Sequence, residues 1–367
     1  MQNPFYNKAE HRVRALWRIL IQVIVFFVGQ ILLSVVIGLI AAVAVLLSGQ
    51  YGQEVLSTPG MFISLYAQVV YSSPVLWFIT PLINLGSMLF SLWFVAKVLD
   101  HRPFKSFGFN FNRQWWKDMM FGLALGALLM MIIFAVELAF GWVTVTGYLQ
   151  NLYNGIGFWV AMLQSLLFYI CVGIYEEMLS RGYELRNLAE GLNFKRLGGA
   201  RGGLLLAYAF SSIVFGMLHL VNANTTWIST LNLVIAGLLM GLGFILTGNL
   251  AIPIGLHITW NFFQGNVFGF PVSGTAKGVA FIGIQQGGPD LFTGGAFGPE
   301  AGLLGVAAML IGAGLILWYI RSTRGKIELC DQLAVYVAPN QPAVEPPEEP
   351  GEEEQNAPAA VQDSENE

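Results

Sequence analysis

The sequence predicts an all-α, polytopic transmembrane helical bundle of about eight spans, followed by a disordered acidic C-terminal tail. Three observations carry that expectation. Of 367 residues, 55% are hydrophobic and only 11% are charged, against about 25% charged in ordinary soluble domains. Apolar stretches of about 20 residues recur between Trp17 and Ile320, each long enough to cross a hydrocarbon core about 30 Å thick. Charge is also segregated. From Ile327 onward there are 11 acidic residues and no Lys or Arg, so an overall charge of −4 conceals a body of net +7.

The first span, 17–47, is about 30 residues long, far beyond the apolar core of about 7–15 residues in a secretory signal. It is expected to be an uncleaved anchor that tilts or projects beyond the bilayer. The second and third spans cover 75–97 and 119–142. Between them, His101 to Asp118 interleaves Phe104, Phe107, Phe109, Trp115 and Trp116 with basic residues, the composition of an interfacial belt. The remaining spans cover 157–179, 203–220, 227–247, 250–270 and 301–320. All are read as helices, because an isolated strand leaves its backbone groups unsatisfied in lipid. Gly237, Gly241, Gly243, Gly248 and Gly255 let the sixth and seventh approach their neighbours closely. From Pro339 the chain is rich in Pro, Glu and Gln without apolar periodicity, as in disordered segments. The expected segments are therefore an N-terminal membrane region (1–155), a core (156–270), a loop with the last span (271–326) and the tail (327–367).

Basic residues set the expected orientation. On eight spans, seventeen of the 18 Lys and Arg fall on one side and Lys277 alone on the other. Both termini are then cytoplasmic, and an uncleaved multispan chain without organelle signals fits a bacterial plasma membrane. Cys171 lies in a span and Cys330 in the tail, so a mutual disulfide is not expected.

Ionisable groups inside spans are costly and default to functional hypotheses. Glu176-Glu177-Met178-Leu179-Ser180-Arg181 closes the fourth span. On a helix, Glu177 and Arg181 share a face, while Glu176 is turned about 100° away. The segment reads either as a helix end reaching water or as a general base beside a structural ion pair. His219 closes the fifth span, and His257 and Asn261 lie four apart in the seventh. Each His alone reads as a packing residue. Two of only four His in the chain sit in apolar helices, however, and join a carboxylate and an amide as parts for water activation and oxyanion stabilisation. His219 and His257 with a carboxylate could equally make a three-ligand set for a divalent metal such as zinc. Glu137, near the far end of the third span, reads as structural. No His-Glu-x-x-His occurs, all five Asp lie outside the apolar cores, and no Gly-x-Ser-Gly precedes a suitably placed His. These absences argue against the zinc-helix, aspartyl and rhomboid types of intramembrane protease.

Taken in order, these residues resemble the CPBP family of type 2 CaaX prenyl endopeptidases and bacteriocin-processing, immunity and lysostaphin-resistance-like relatives. That family carries Glu-Glu-x-x-x-Arg, then Phe-x-x-x-His, then His-x-x-x-Asn or Asp. Here these are Glu176, Glu177 and Arg181; Phe215 and His219; and His257 and Asn261. Gly182 continues the pattern, whereas Ser180 replaces the Phe common before Arg. The resemblance covers roughly 156–270 and implies an intramembrane endopeptidase acting on a membrane-associated peptide or protein among lipids, with no nucleic-acid partner. In eukaryotic members a prenylated CaaX protein loses its last three residues. The resemblance further implies Glu176 as the base and His219 as its assistant. His257 and Asn261 would stabilise the oxyanion, and Glu177 and Arg181 would hold the helix. The family is often called a metalloprotease, which leaves a metal at His219 and His257 open. A non-catalytic scaffold or immunity protein of the same fold is the alternative, and a solute transporter a distant third.

Hydropathy sets one geometric condition. His219 lies about 16 residues into the fifth span, about 24 Å deep, whereas Glu176 lies near the end of the fourth. They meet if the fourth helix continues as a buried helix through Arg186, with Arg181 paired to Glu177, or if the fifth starts outside the core or tilts.

Overall fold

The computed structural model describes residues 3–8, 10–47, 74–153 and 155–337, with isolated positions at 60, 61 and 64. Met1–Tyr336 form one compact unit; of the second, Val337–Glu367, only Val337 is described. A hook of two short antiparallel strands, β1 (Tyr6–Asn7) and β2 (Arg12–Val13), precedes α1 (Ala15–Leu47). The 33 residues of α1 run about 50 Å, longer than a hydrocarbon core is thick. Leu20, Ile24, Phe27, Ile31 and Leu32 are exposed along it, as suits a lipid-facing helix, because hydrocarbon is as apolar as they are.

Helix α2 (Pro74–Val95) widens into a π turn, Ala96–Asp100, and stops at His101 with φ 50°. Helix α3 (Arg113–Ala139) is capped by Asn112, whose Oδ1 accepts from the Trp115 N–H at 2.8 Å. Strand β3 (Val143–Asn151) follows, then α4 (Phe158–Glu177), which runs on through a π segment (Met178–Leu185) into α5 (Arg186–Gly191). Helices α6 (Gly199–Leu218), α7 (Trp227–Thr247) and α8 (Ala251–Phe262) complete the core. Strand β4 (Val279–Gln286), a turn of helix α9 (Asp290–Thr293) and α10 (Leu303–Arg324) finish the unit. β3 and β4 pair antiparallel, Val143 opposite Gln286, with a bulge between Val145 and Gly147. The bundle thus carries a two-stranded sheet outside its spans.

Among the described residues seven helices are long and apolar enough to cross a membrane, one fewer than hydropathy suggests. The stretch that drops out is 250–270. There α8 has 12 residues before a π turn, Phe263–Val267, and every residue from Ala251 to Ile258 is buried. Protein rather than lipid surrounds it. It starts where the Leu250 N–H donates to Gly108 O at 3.1 Å. It ends where Asn266 Nδ2 donates to Val279 O in β4 at 2.8 Å.

Small residues bring α3 and α8 together. A Cβ added at Gly126 would stand 2.5 Å from Leu256 O and 2.7 Å from Trp260 N; one at Gly255 would stand 2.6 Å from Met119 O. Gly126→Leu is therefore expected to lower the thermal midpoint in detergent by the equivalent of about 1–3 kcal/mol, the usual cost of overpacking. An unchanged midpoint would mean that the two helices separate at little cost.

The tail begins later than position 327. Cys330 N–H donates to Ile245 O at 2.8 Å, Leu333 and Ala334 are buried, and Tyr336 Oη donates to Asp100 O at 3.1 Å. Apolar anchors after α10 thus hold residues 327–336 against the bundle, and the segment from Pro339 lies outside the described residues. Both cysteines are free. Several basic residues counted as boundary charges are also buried. Arg18 Nη1 lies 2.6 Å from Asp100 Oδ1, and Arg12 Nη1 and Arg102 Nη2 lie 2.8 and 2.7 Å from the Glu190 carboxylate. This ion cluster ties the N-terminal hook to α5.

Candidate active site

The site is assembled where α4 turns into its π segment. Glu177 is fully buried there, while the Glu176 side chain is 24% exposed and lines a cavity of about 500 Å³. Glu177 Oε1 accepts from Arg181 Nη1 at 3.0 Å and from His257 Nδ1 at 2.8 Å. Arg181 is buried as well. Its Nη2 donates to Gly237 O at 3.0 Å, and its guanidinium lies 4.5 Å from the centroid of the Phe215 ring. The helical continuation through Arg186, with Arg181 paired to Glu177, is what the structure contains. Helix α6 also starts at Gly199, ahead of the hydropathy boundary at 203.

Each imidazole has one nitrogen fixed by an acceptor. Glu177 is a carboxylate acceptor for His257, so Nδ1 carries the hydrogen and Nε2 is the lone-pair nitrogen of the neutral ring, a tautomer assigned from its partners. That Nε2 lies 3.8 Å from Glu176 Oε2. His219, in the turn that closes α6, places Nδ1 2.7 Å from Phe215 O. A carbonyl only accepts, so His219 likewise keeps Nε2 as its lone-pair nitrogen. The Phe215 ring centroid is 4.8 Å from that of His219 and 6.3 Å from that of His257. The Phe-x-x-x-His spacing therefore does two things: the Phe215 carbonyl orients one imidazole, and its ring packs beside both. Asn261, one turn beyond His257 on α8, lines the same cavity.

Sequence reasoning missed several cavity residues. Tyr175 Oη donates to Glu176 Oε1 at 3.3 Å; its place directly before the acidic pair was the only available signal. Tyr169, Glu184, Lys277 and Glu300 also line the cavity. Lys277 had stood out only as the one basic residue assigned to the far side. Glu137 lies apart from the site and accepts from Gln286 Nε2 of β4 at 2.8 Å.

The residues do not fit the metal alternative. Among the described residues no group of three His, Cys, Asp or Glu side chains has the geometry to hold a metal ion.

Residues 157–263 match the family described as Type II CAAX prenyl endopeptidase Rce1-like. The matched segment is under a third of the chain and contains Glu176, Glu177, Arg181, His219, His257 and Asn261. The match supports the CPBP assignment carried by the three motifs and, at family level, a CAAX-type intramembrane protease. No curated protein and no solved structure matches the chain.

Proposed function

We propose that this protein hydrolyses a peptide bond in a membrane-associated protein or peptide, with Glu176 activating the attacking water. The observation that carries this reading is the division of labour between adjacent carboxylates. Glu177 is held by Arg181 and His257, whereas Glu176 faces the cavity beside the lone-pair nitrogen of His257. A base must reach its water and be able to change protonation state, and of the adjacent pair Glu176 is placed for both.

In the proposed reaction a water proton passes to Glu176 as the water oxygen bonds to the scissile carbonyl carbon. The oxyanion that forms takes a hydrogen bond from Asn261 Nδ2, with His257 one turn away on the same helix. Glu177 holds the His257 ring from the Nδ1 side. Glu176 then passes its proton to the departing nitrogen as the carbon–nitrogen bond breaks, which restores the carboxylate. His219 Nε2 orients the water. No step is routed through a metal.

The walls fit a substrate held at the membrane. Ile19, Val23 and Phe27 of α1 line the same cavity as Val172, Val214 and Leu218, a lining suited to an apolar or lipid-linked chain. The clustered Lys and Arg favour a cytoplasmic position for the end of the bundle that holds Gly108. The test is incubation of the purified protein in nanodiscs with a library of membrane-tethered reporter peptides, products being identified by mass spectrometry. Cleavage at a defined bond is expected. Intact peptides across the library, with the protein shown to be folded, would favour the non-catalytic scaffold.

A further inference from the structure

Glu184 lines the cavity, and the reaction above does not use it. It is 8% exposed, and among the described residues neither of its side-chain oxygens has a hydrogen-bond or salt-bridge partner. Arg181, three residues before it, attracts it through space but gives its hydrogen bonds to Glu177 Oε1 and Gly237 O. Lys277 lies beside Phe168 and Tyr169, and fifteen residues of helix, about 22 Å, separate Tyr169 from Glu184. Glu177 Oε2 is sealed inside the protein without a partner, whereas the oxygens of Glu184 are not sealed. The surface they keep opens on the cavity that the residue lines.

The local backbone puts the side chain there. Met178–Leu185 form a π segment, whose turns hold more residues than those of an α-helix. In an uninterrupted α-helix, eight residues would turn Glu184 about 80° from Glu176. Here Glu176, Ser180 and Glu184, at steps of four, all line the cavity, while Glu177 and Arg181 form the buried pair beside them. A carboxylate enclosed by a largely apolar wall is costly unless a cation meets it.

Resting on the proposed hydrolysis, we infer that Glu184 is a cation-binding subsite, which selects substrates carrying a Lys or Arg side chain at a set distance from the scissile bond. An ammonium or guanidinium brings several donors to a carboxylate that accepts at both oxygens. Within the cavity such a pair is stronger than in water. Eight residues put Glu184 about 12 Å from Glu176 along the helix axis, and an extended peptide covers that distance in about four residues. The apolar lining gives affinity without register, and the ion pair supplies the register.

Membrane-tethered peptides that differ at one position test this, with Lys or the uncharged norleucine placed at successive positions along the chain. Binding is measured on Glu176→Gln protein in phosphatidylcholine nanodiscs, so that neither turnover nor a charged lipid surface contributes. At one position Lys is expected to bind about tenfold tighter than norleucine, the size of one charge-assisted hydrogen bond. That position should lie about four residues from the bond that the wild type cleaves. Adding Glu184→Gln should bring the ratio close to one, and Glu184→Asp should keep part of it. Equal binding of Lys and norleucine peptides, or no measurable binding, overturns the inference. So does a Lys preference of the same size at every position, or one that Glu184→Gln leaves unmoved. Selective binding with no cleavage by the wild type would leave the subsite standing and defeat the proposed hydrolysis; cleavage without a Lys preference would do the reverse.

Discussion

Glu176→Gln is expected to lower peptide cleavage at least about a hundredfold, the lower part of the range for losing a positioned general base, with little change in thermal midpoint. The side chain is part-exposed, and its contacts are Tyr175 Oη at 3.3 Å and His257 Nε2 at 3.8 Å. An amide of the same shape keeps a hydrogen-bond acceptor for Tyr175 but has no carboxylate to take a proton from water. Initial rates on a reporter peptide and a melting curve on the same preparation check both halves. A rate within a fewfold of wild type would place the base elsewhere.

Arg181→Met has the second large expected effect, and it falls on the fold. Glu177 Oε2 finds no hydrogen-bond partner among the described residues, so Oε1 carries the carboxylate's bonds to Arg181 and His257. Removing the guanidinium leaves a buried charge with a single partner. Breaking a buried pair from one side costs about 3–5 kcal/mol, a large share of the roughly 5–15 kcal/mol that holds a typical domain. The variant should melt far below wild type and lose activity. If it fails to accumulate, Arg181→Met/Glu177→Gln supplies the comparison, because removing both charges should recover much of the stability. A single variant as stable as wild type would contradict the role given to the pair.

The parts of this site that were legible in the sequence are those written in local spacing. Glu177 and Arg181 lie four apart, as do His257 and Asn261, and each pair shares a helix face whatever the rest of the chain does. Buriedness of the helix after Glu177 was also accessible, because Glu176 and the deep His219 could meet only if α4 continued or α6 began early. The structure contains both. What could not be read depends on residues brought together from far apart. Arg12, Arg18 and Arg102 count as boundary charges in any linear reading, yet Asp100 and Glu190 draw them inside. Lys277 reached Tyr169 only through the turn between α8 and β4. Strand β3 has a local signal, the alternation of Val143 and Val145 with Thr144 and Thr146, on a scale shorter than span-length periodicity. The enclosure of helix α8 was not legible, because hydropathy cannot distinguish a stretch that faces lipid from one enclosed by protein.

The central claim is that Glu176 acts as a base on water rather than as a nucleophile. A single-turnover cleavage in oxygen-18 water, followed by mass analysis of the new C-terminus and of the enzyme peptide containing Glu176, tests it most directly. One labelled oxygen is expected in the product carboxylate and none in Glu176. Label in the Glu176 carboxylate, or product formed at an undiminished rate by Glu176→Gln, would contradict it.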